Sequence, residues 1–205
     1  MCAAPLEAAS FPARSAGEDA GRLLCIGVGK TAATLGLTRA LMTGPRPRLL
    51  VGFGVGGAYP GSGLDVGDGC IVTRDDFVDE GVETTNGFLD LRSLGFDDAA
   101  PRIADPARSQ AWATRLGVPC VAGATVSCCS GTDALARVYA ERSGAAVETM
   151  EGAAVAHVAQ AFGIPWVGVR AVSNRCGDRA RAGWDLPRAL ERLEAMLTVL
   201  VRGEG

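Results

Sequence analysis

The chain has 205 residues, of which 48% are hydrophobic and 21% charged, and its formal net charge is −3 at pH 7. This composition is typical of one globular domain with a sizeable core, and the acidic balance argues against a general nucleic-acid binder, which usually has a basic face. No apolar run reaches the roughly 18 residues that a membrane-spanning helix requires, and the first residues contain no basic leader, so we expect a cytoplasmic protein.

Runs of β-branched and small apolar residues alternate with helical patterns along the chain. In chain order, these patterns predict a strand at 22–29, a helix at 30–42, strands at 47–58, 68–83 and 119–129, a helix at 133–144, a strand at 145–150, a helix at 151–163, a strand at 164–174 and a helix at 186–203. The polar segment 84–118 is less regular, which favours a loop over a site. The alternation predicts a single α/β domain over residues 1–205, with a central mixed, mostly parallel sheet flanked by helices.

The cysteine and histidine content argues against disulfide and metal sites. The chain has seven cysteines, an odd number, and one histidine, and it contains no CxxC pair. Reduced thiols therefore fit better than a disulfide framework or a zinc site. His157 lies on an alanine-rich helical face, where a packed histidine is the commoner role.

Two glycine-rich stretches look like nucleotide sites but lack the full pattern of either. "GVGKT" (27–31) has Leu24 where a phosphate loop needs a glycine, so we interpret it as a tight turn into a helix. "GFGVGG" (52–57) is followed by a turn-rich stretch, whereas a dinucleotide fingerprint needs a helix there. Glycines in the second stretch still allow a ligand to approach the backbone closely.

The stretch "VETMEGAAVAHV" (147–158) places Glu148 and Glu151 among small apolar residues. A buried carboxylate costs several kcal/mol unless it is paired or hydrogen-bonded. Either these groups point outward or one of them has a function.

Four stretches together resemble the purine nucleoside phosphorylase and nucleosidase superfamily. They are "APLEA" (4–8), "GVGGAYPGSGLDVGD" (54–68), "VETMEGAAVAHV" (147–158) and "PWVGVRAVSNRCGDR" (165–179). The Met-Glu pair followed by an Arg-x-x-Ser-Asn strand is the most specific of these features. Within the superfamily, "DEGVETTNGFLDLRSLGF" (79–96) is most similar to the futalosine hydrolase family.

The resemblance implies that Glu151 accepts hydrogen bonds from the 2′- and 3′-hydroxyls of a ribose and that Met150 packs against the sugar. Cleavage of an N-glycosidic bond builds an oxocarbenium-like sugar, and a charged acceptor on the hydroxyls orients the sugar and favours that cation. The alternative is that Glu151 only satisfies free N–H groups at a helix start. We expect Glu148 to be structural.

Asn174 bears on the identity of the base. The resemblance implies an aspartate at this position in nucleosidases that release adenine. A 6-oxopurine presents acceptors at O6 and N7, and an amide can donate to O6 and accept from a protonated N7, whereas a carboxylate would repel O6. Asn174 therefore favours hypoxanthine or guanine as the leaving base; the alternative is an asparagine that simply ends a strand.

Glu7 lies in the "APLEA" stretch. The resemblance implies that a glutamate here activates the attacking water in the hydrolases, whereas bacterial-type phosphorylases have a phosphate-binding arginine nearby. A carboxylate repels phosphate and suits a general base. Only Met1, Cys2 and Ala3 precede the motif, so the first strand is either short or begins upstream.

The resemblance also assigns residues around the sugar and the base. Gly54, Val55 and Gly56 match the turn beside the sugar and the water. Cys128 and Cys129, in "VSCCSG" (126–131), match a segment that flanks the base, or they simply fill the core.

A long 5′ substituent would need a cover and a polar contact. Phe88 and Leu91 lie in a loop that we expect to cover it, and we expect Arg179 to close that loop or to contact a substrate carboxylate. The resemblance thus implies a homo-oligomeric futalosine hydrolase that releases hypoxanthine by water attack at the anomeric carbon, without a metal or organic cofactor. The alternatives are a 6-oxopurine nucleoside phosphorylase, an adenine-releasing nucleosidase and a non-catalytic nucleoside-binding protein.

Overall fold

A mixed β-sheet forms the centre of the protein in the computed structural model, which describes residues 1–12, 22–96, 102–180 and 183–202. The strands are β1 (Leu50–Ala58), β2 (Gly69–Phe77), β3 (Gly81–Thr84), β4 (Gly87–Asp90), β5 (Arg102–Ile103), β6 (Cys120–Thr125), β7 (Val147–Thr149) and β8 (Trp166–Arg175). The helices are α1 (Pro5–Ala8), α2 (Lys30–Thr43), α3 (Pro106–Leu116), α4 (Asp133–Ser143), α5 (Gly152–Ala161) and α6 (Leu186–Arg202).

The central sheet closes on itself. Its strand order is β5-β2-β6-β7-β1-β8, and β2 also pairs with β8, while β3 and β4 form a separate hairpin. The pairs β1–β8, β2–β6 and β6–β7 are parallel, and β1–β7, β2–β8 and β2–β5 are antiparallel. Closure pairs backbone groups that an open sheet would expose along its edges. The expected α/β domain with a mixed sheet flanked by helices is confirmed.

Helices bury apolar stripes against this sheet. The buried residues of α6 recur at helical spacing on one face, at Ala189, Leu193, Met196, Leu197 and Leu200. They form a core cluster with residues of β8 and α3. Full burial of each large apolar side chain contributes about 1.5–3 kcal/mol to the free energy of folding. None of the described helices is long and apolar enough to cross a membrane. The amphipathic terminal helix is confirmed through Arg202, and position 203 lies outside the described residues.

Two of the predicted strands are wrong in extent. The segment 22–29 makes only a parallel bridge between Cys2 and Cys25, because its partner ends where α1 begins at Pro5. Gly27 and Gly29, with φ of 93° and 88°, then turn the chain into α2. The predicted strand 68–83 is broken after β2, because the pairing with β6 ends there, and the chain continues into the β3–β4 hairpin.

The segment 84–118 is not an irregular loop. It contains β4, β5 and α3, while residues 97–101 lie outside the described part of the chain. The Asp105 side chain caps α3 by accepting a hydrogen bond from Arg108 N at 3.0 Å, and Pro106 opens the helix. Gly117 closes it in the left-handed conformation, with φ of 63°. These are ordinary helix boundaries.

The fold places β7 and β8 on the two sides of the end of β1. A register shift between Gly56 and Gly57 places Gly57 opposite Asn174 of β8. The same glycine faces Glu148 of β7 on the other side. The end of β1 therefore lies between the strand that carries Asn174 and the strand that leads to Met150 and Glu151.

Candidate active site

A cleft of about 210 Å³ opens where β1, β7 and β8 converge. The carboxylates of Glu7, Glu148 and Glu151 and the amide of Asn174 line it. Glu7 and Glu148 are buried, and Glu151 is half-buried. Buried carboxylates need hydrogen bonds or a charged ligand. A carboxylate whose hydrogen bonds are all made within the protein is a structural group, whereas one with an acceptor position left over is a candidate for catalysis or binding.

Glu7 is held in place by backbone amides. Its Oε2 accepts hydrogen bonds from Ala3 N at 2.9 Å and Ala4 N at 3.2 Å, and its Oε1 accepts one from Val55 N at 3.0 Å. Because an ionised carboxylate offers about four acceptor positions, these bonds fix its orientation and still leave room for a water. Glu7 is therefore placed as a rigid acceptor at one end of the cleft.

The glycines of β1 make room for this arrangement. A Cβ atom on Gly54 would lie 3.0 Å from Cδ of Glu7 and closer still to Oε1. A Cβ atom on Gly56 would lie 2.8 Å from the backbone oxygen of Glu148. Gly54 and Gly56 thus admit the carboxylate and the neighbouring strand, and Val55 supplies an N–H group. The structure brings all three predicted residues of this turn to the cleft region.

Glu151 lies at the N-cap of α5 but directs its carboxylate to another part of the chain. Its Oε1 accepts a hydrogen bond from Gly29 N at 2.7 Å, and its side chain does not cap its own helix. Burial raises the pKa of Glu151 above its ordinary value, and the Gly29 N–H group and Arg170 oppose that shift. Glu151 therefore does not cap α5 but accepts from the N-cap amide of α2, so the alternative that it only satisfies an N–H group at a helix start stays open. Met150 lines the cleft beside it.

A smaller cavity of about 10 Å³ lies among Glu7, Glu151 and Arg170. It is close to the smallest size that holds one water. Arg170 is only 5% exposed, and its Nη1 donates to Gly52 O at 2.8 Å and to Val169 O at 3.0 Å. No role was predicted for Arg170, although a lone cation in a buried strand is as strong a signal as a buried carboxylate. Its charge opposes the effect of burial on the pKa of Glu151.

Glu148 is satisfied within the protein. Its Oε1 accepts from Ser130 N at 2.9 Å, and its Oε2 accepts from the Tyr59 hydroxyl at 2.9 Å and from the Ser130 hydroxyl. Burial and the nearby Glu148 carboxylate raise the pKa of Tyr59 well above its usual range. These bonds support a structural role for Glu148, which fixes the loop after β6 against β7.

Asn174 ends its strand with its amide at the cleft. Its Oδ1 accepts from the Ser173 hydroxyl at 2.9 Å, and its Nδ2 donates to Arg175 O at 3.1 Å. An amide nitrogen has two hydrogens and an amide oxygen has two lone pairs. One donor and one acceptor position of Asn174 therefore stay available to a ligand in the cleft.

The rim of the cleft contains a cation and an aromatic ring. The Arg179 guanidinium lies 5.0 Å from the centroid of the exposed Trp184 ring, and both residues line the cleft. Cys129 also lines it, whereas Cys128 lies outside, with its Sγ atom 3.9 Å from the carbonyl oxygen of Cys129. Trp184 was missed because a single tryptophan in a polar stretch has no local pattern.

Phe88 lies away from the cleft, in the β3–β4 hairpin. The Arg142 guanidinium lies 3.6 Å from its ring centroid, and both residues line a separate cavity of about 1020 Å³. Leu91 and His157 line that cavity too, and Nδ1 of His157 is 2.7 Å from Nη2 of Arg102. The structure does not bring Phe88 and Leu91 to Glu7, and their role over a substituent stays a prediction. His157 packs among protein groups, in line with the sequence interpretation.

The "GVGKT" stretch forms a turn whose polar groups are used within the protein. Lys30 pairs with Asp79 and, at 3.0 Å, with Glu80. The Gly29 N–H group is bonded to Glu151. These contacts agree with the interpretation of the stretch as a turn into α2.

Among residues 1–12, 22–96, 102–180 and 183–202, no three His, Cys, Asp or Glu side chains cluster as a metal site requires.

Comparison with known proteins adds a family and a fold to this geometry. A family model described as "Phosphorylase superfamily" matches residues 17–202. The chain is 37% identical to a futalosine hydrolase of Streptomyces coelicolor over 183 residues, which cover 85% of this chain and 76% of the relative. It is 33% identical to a 5′-methylthioadenosine/S-adenosylhomocysteine nucleosidase of Actinobacillus succinogenes over 158 residues, 74% of this chain and 66% of that one. A futalosine hydrolase mutant of Helicobacter pylori has the same fold, with a TM-score of 0.73 and 19% identity over 87% of this chain and 78% of the other.

Proposed function

Because the chain belongs to the phosphorylase superfamily, we propose that it is a futalosine hydrolase of menaquinone biosynthesis, which splits the N-glycosidic bond of futalosine into hypoxanthine and dehypoxanthinyl futalosine. The observation that carries the proposal is the cavity for one water among Glu7, Glu151 and Arg170. This cavity adjoins the cleft that holds the Asn174 amide. In this proposal a water beside Glu7 is the nucleophile, Glu151 contacts the sugar and Asn174 contacts the base.

Glu151 and Met150 bind the ribose in this proposal. The Glu151 carboxylate accepts hydrogen bonds from the sugar hydroxyls, while Gly29 N–H holds its other side. The burial that raises the pKa of Glu151 also strengthens its attraction for a developing cation, because the local dielectric is low. The sugar approaches an oxocarbenium ion as its bond to the base breaks, so this attraction grows toward the transition state.

Glu7 activates the water. Its carboxylate is fixed by Ala3 N, Ala4 N and Val55 N, so it enters the reaction without rearrangement. The water gives a proton to Glu7 as its oxygen bonds to the anomeric carbon, and the electron pair of the glycosidic bond leaves with the base. Arg170 polarises the same water and offsets the charge of the two carboxylates.

Asn174 stabilises the leaving base. Its free N–H group donates to O6 of hypoxanthine. The departing base takes a proton from solvent at N7, and the Asn174 oxygen accepts a hydrogen bond from that N–H group. The relatives with the two activities are similarly close to this chain, at 37% and 33% identity, so overall identity does not choose between a 6-oxopurine and adenine. The amide at position 174 favours the 6-oxopurine. In this proposal Arg179, which lies beside Trp184 at the rim, contacts a carboxylate of the substrate.

One assay separates the candidate functions. The purified protein is incubated with futalosine, inosine or methylthioadenosine, each with and without phosphate, and the released base is identified by chromatography. A futalosine hydrolase releases hypoxanthine from futalosine at a rate that does not depend on phosphate. Phosphate dependence would indicate a phosphorylase, a preference for methylthioadenosine an adenine-releasing nucleosidase, and binding without release a non-catalytic protein.

Glu7→Gln is the matched control for that assay. The substitution keeps the size of the side chain but removes the general base, so turnover should be lost while nucleoside binding, measured by calorimetry, stays. An active Glu7→Gln variant would place the base elsewhere in the cleft.

The same proposal includes a homo-oligomer in the cytoplasm. Leu35 and Met42 lie seven residues apart on one face of α2 and are 55% and 75% exposed. Apolar side chains at this spacing form a stripe that suits burial in a subunit interface. Light scattering at micromolar concentration should give at least a dimer, and a monomer there would contradict this part of the proposal.

A further inference from the structure

The first amides of α5 are bonded by hydroxyl groups rather than by the N-cap residue. Gly152 N donates to Oγ1 of Thr149 at 3.2 Å, and Ala153 N donates to Oγ1 of Thr125 at 2.7 Å. The N-cap residue is Glu151, whose side chain makes no such bond. Helix starts attract carboxylates, because their N–H groups lack partners and carry partial positive charge. Something must therefore keep Glu151 from turning back onto its own helix.

A buried carboxylate ends the chain of hydroxyls. Thr125 Oγ1 donates to Oδ1 of Asp75 at 2.7 Å and lies 3.4 Å from Oγ1 of Thr149. A threonine hydroxyl has one hydrogen, and Thr125 gives its hydrogen to Asp75. Thr149 must then donate to Thr125. Every hydrogen in the chain thus points from the start of α5 toward Asp75, and the carboxylate acts as the terminal acceptor for both amides.

Two glycines leave room for the Asp75 side chain under the helix start. Asp75 is 1% exposed, and its Oδ2 has no hydrogen-bond partner among the described residues. A Cβ atom on Gly123 would lie 2.6 Å from this Oδ2. A Cβ atom on Gly152 would lie 2.9 Å from Cγ of Asp75 and closer still to Oδ2. The carboxylate thus occupies space that side chains at both positions would fill.

We propose that Asp75 and Thr125 take over the capping of α5 and thereby leave the Glu151 carboxylate directed at Gly29 and the cleft. They are positioning residues, since they act on a ligand only through Glu151. The part of the inference that concerns turnover rests on the proposed nucleoside hydrolysis. The part that concerns the direction of Glu151 rests on the hydrogen bonds alone.

Three variants and one replacement test this inference. Thr125→Val keeps the shape of the side chain but removes the hydroxyl, so Ala153 N and Asp75 lose their link and Glu151 is drawn to the helix start. Thr125→Ser restores the hydroxyl. Asp75→Asn keeps an oxygen acceptor for Thr125. Like Thr125→Ser, it should leave the Glu151 carboxylate bonded to Gly29. Thr149→Val, which frees Gly152 N, replaces Thr125→Val if that variant does not fold.

The direct readout is the NMR signal of the Gly29 amide, which reports its hydrogen bond to Glu151 without any substrate. In Thr125→Val this signal should move upfield and exchange faster with solvent, while Thr125→Ser should match the wild type. The kcat/KM for futalosine should fall by about tenfold in Thr125→Val, the factor expected when one cap interaction is lost, and should recover in Thr125→Ser.

The two readouts also separate this inference from the proposed function. An unchanged Gly29 signal in folded Thr125→Val would overturn the inference, whatever the enzyme does. A wild-type protein that hydrolyses no nucleoside, but shows the expected change at Gly29, would refute the proposed function and leave the capping role standing. A loss of activity that Thr125→Ser does not restore would also count against the inference.

Discussion

Replacement of Gly54 by alanine should disable Glu7 without unfolding the protein. The added Cβ atom would lie 3.0 Å from Cδ of Glu7 and closer still to Oε1, so the carboxylate must move. Glu7 is anchored by backbone amides, and the bond from Val55 N at 3.0 Å is the one nearest to the added atom in sequence. A hydrogen bond to a charged group contributes about 1.5–3 kcal/mol. Loss of this bond therefore predicts a fall in kcat of about 10- to 150-fold.

Gly52→Ala is the matched control for this prediction. It lies two residues earlier in β1, where a Cβ atom would meet only Val155 at 3.5 Å and Arg170 at 4.0 Å, which are ordinary contacts. The assay compares kcat, KM and the midpoint of thermal unfolding for both variants with futalosine as substrate. If Gly54→Ala retained the kcat of Gly52→Ala, Glu7 would be free to adapt and the argument for a rigid acceptor would fail.

Three further predictions concern the other polar groups of the site. Glu151→Gln should lose at least about 3 kcal/mol of transition-state stabilisation with the fold intact; a kcat/KM near that of the wild type would exclude the ribose role. Asn174→Asp should shift the ratio of kcat/KM from the 6-oxopurine toward the adenine nucleoside by about tenfold or more, and a wild-type preference for adenine would show the argument to be wrong. Burial raises the pKa of Asp75 from 3.8 to about 7. The charges of Asp76 and Glu151 also raise this pKa, whereas the hydrogen bond from Thr125 and the charge of Arg170 lower it. The folded protein then binds more protons than the unfolded chain, so the stability that Asp75 contributes should fall as pH rises from about 4 to 7 and level off above that. Chemical unfolding at several pH values should show a smaller fall in Asp75→Asn than in the wild type, and equal slopes would contradict the assignment.

The sequence predicted those elements whose signals are local. The helix at α6 and the strands at β1 and β8 follow from periodicity within each segment, and the boundaries of α3 were also present in Asp105, Pro106 and Gly117, although the polar composition of the segment obscured them. The closure of the sheet between β2 and β8 could not be predicted, because residues about a hundred positions apart form it and no local pattern encodes that pairing.

The site was predicted in the same uneven way. The motif around Met150 indicated a functional role for Glu151 and a structural one for Glu148, but no local pattern states which groups bind the Glu148 carboxylate. Those groups are Tyr59 and Ser130, which lie far away in sequence. The separation of Phe88 from the cleft likewise depends on where its hairpin folds, which the sequence of the hairpin does not state.

Closure of the sheet by β8 also sets the order of events during synthesis. Strand β8 pairs with both β1 and β2, and its last residues complete the cleft that also contains Glu7. A ribosome-bound chain that has not yet released β8 has neither the Asn174 amide nor the buried Arg170. Because pairings of such large sequence separation form slowly, the unfinished β1 and β2 are exposed for the longest time. The cleft is complete only after β8 has been made, so a chain that ends before β8 should be inert as an enzyme and prone to aggregate.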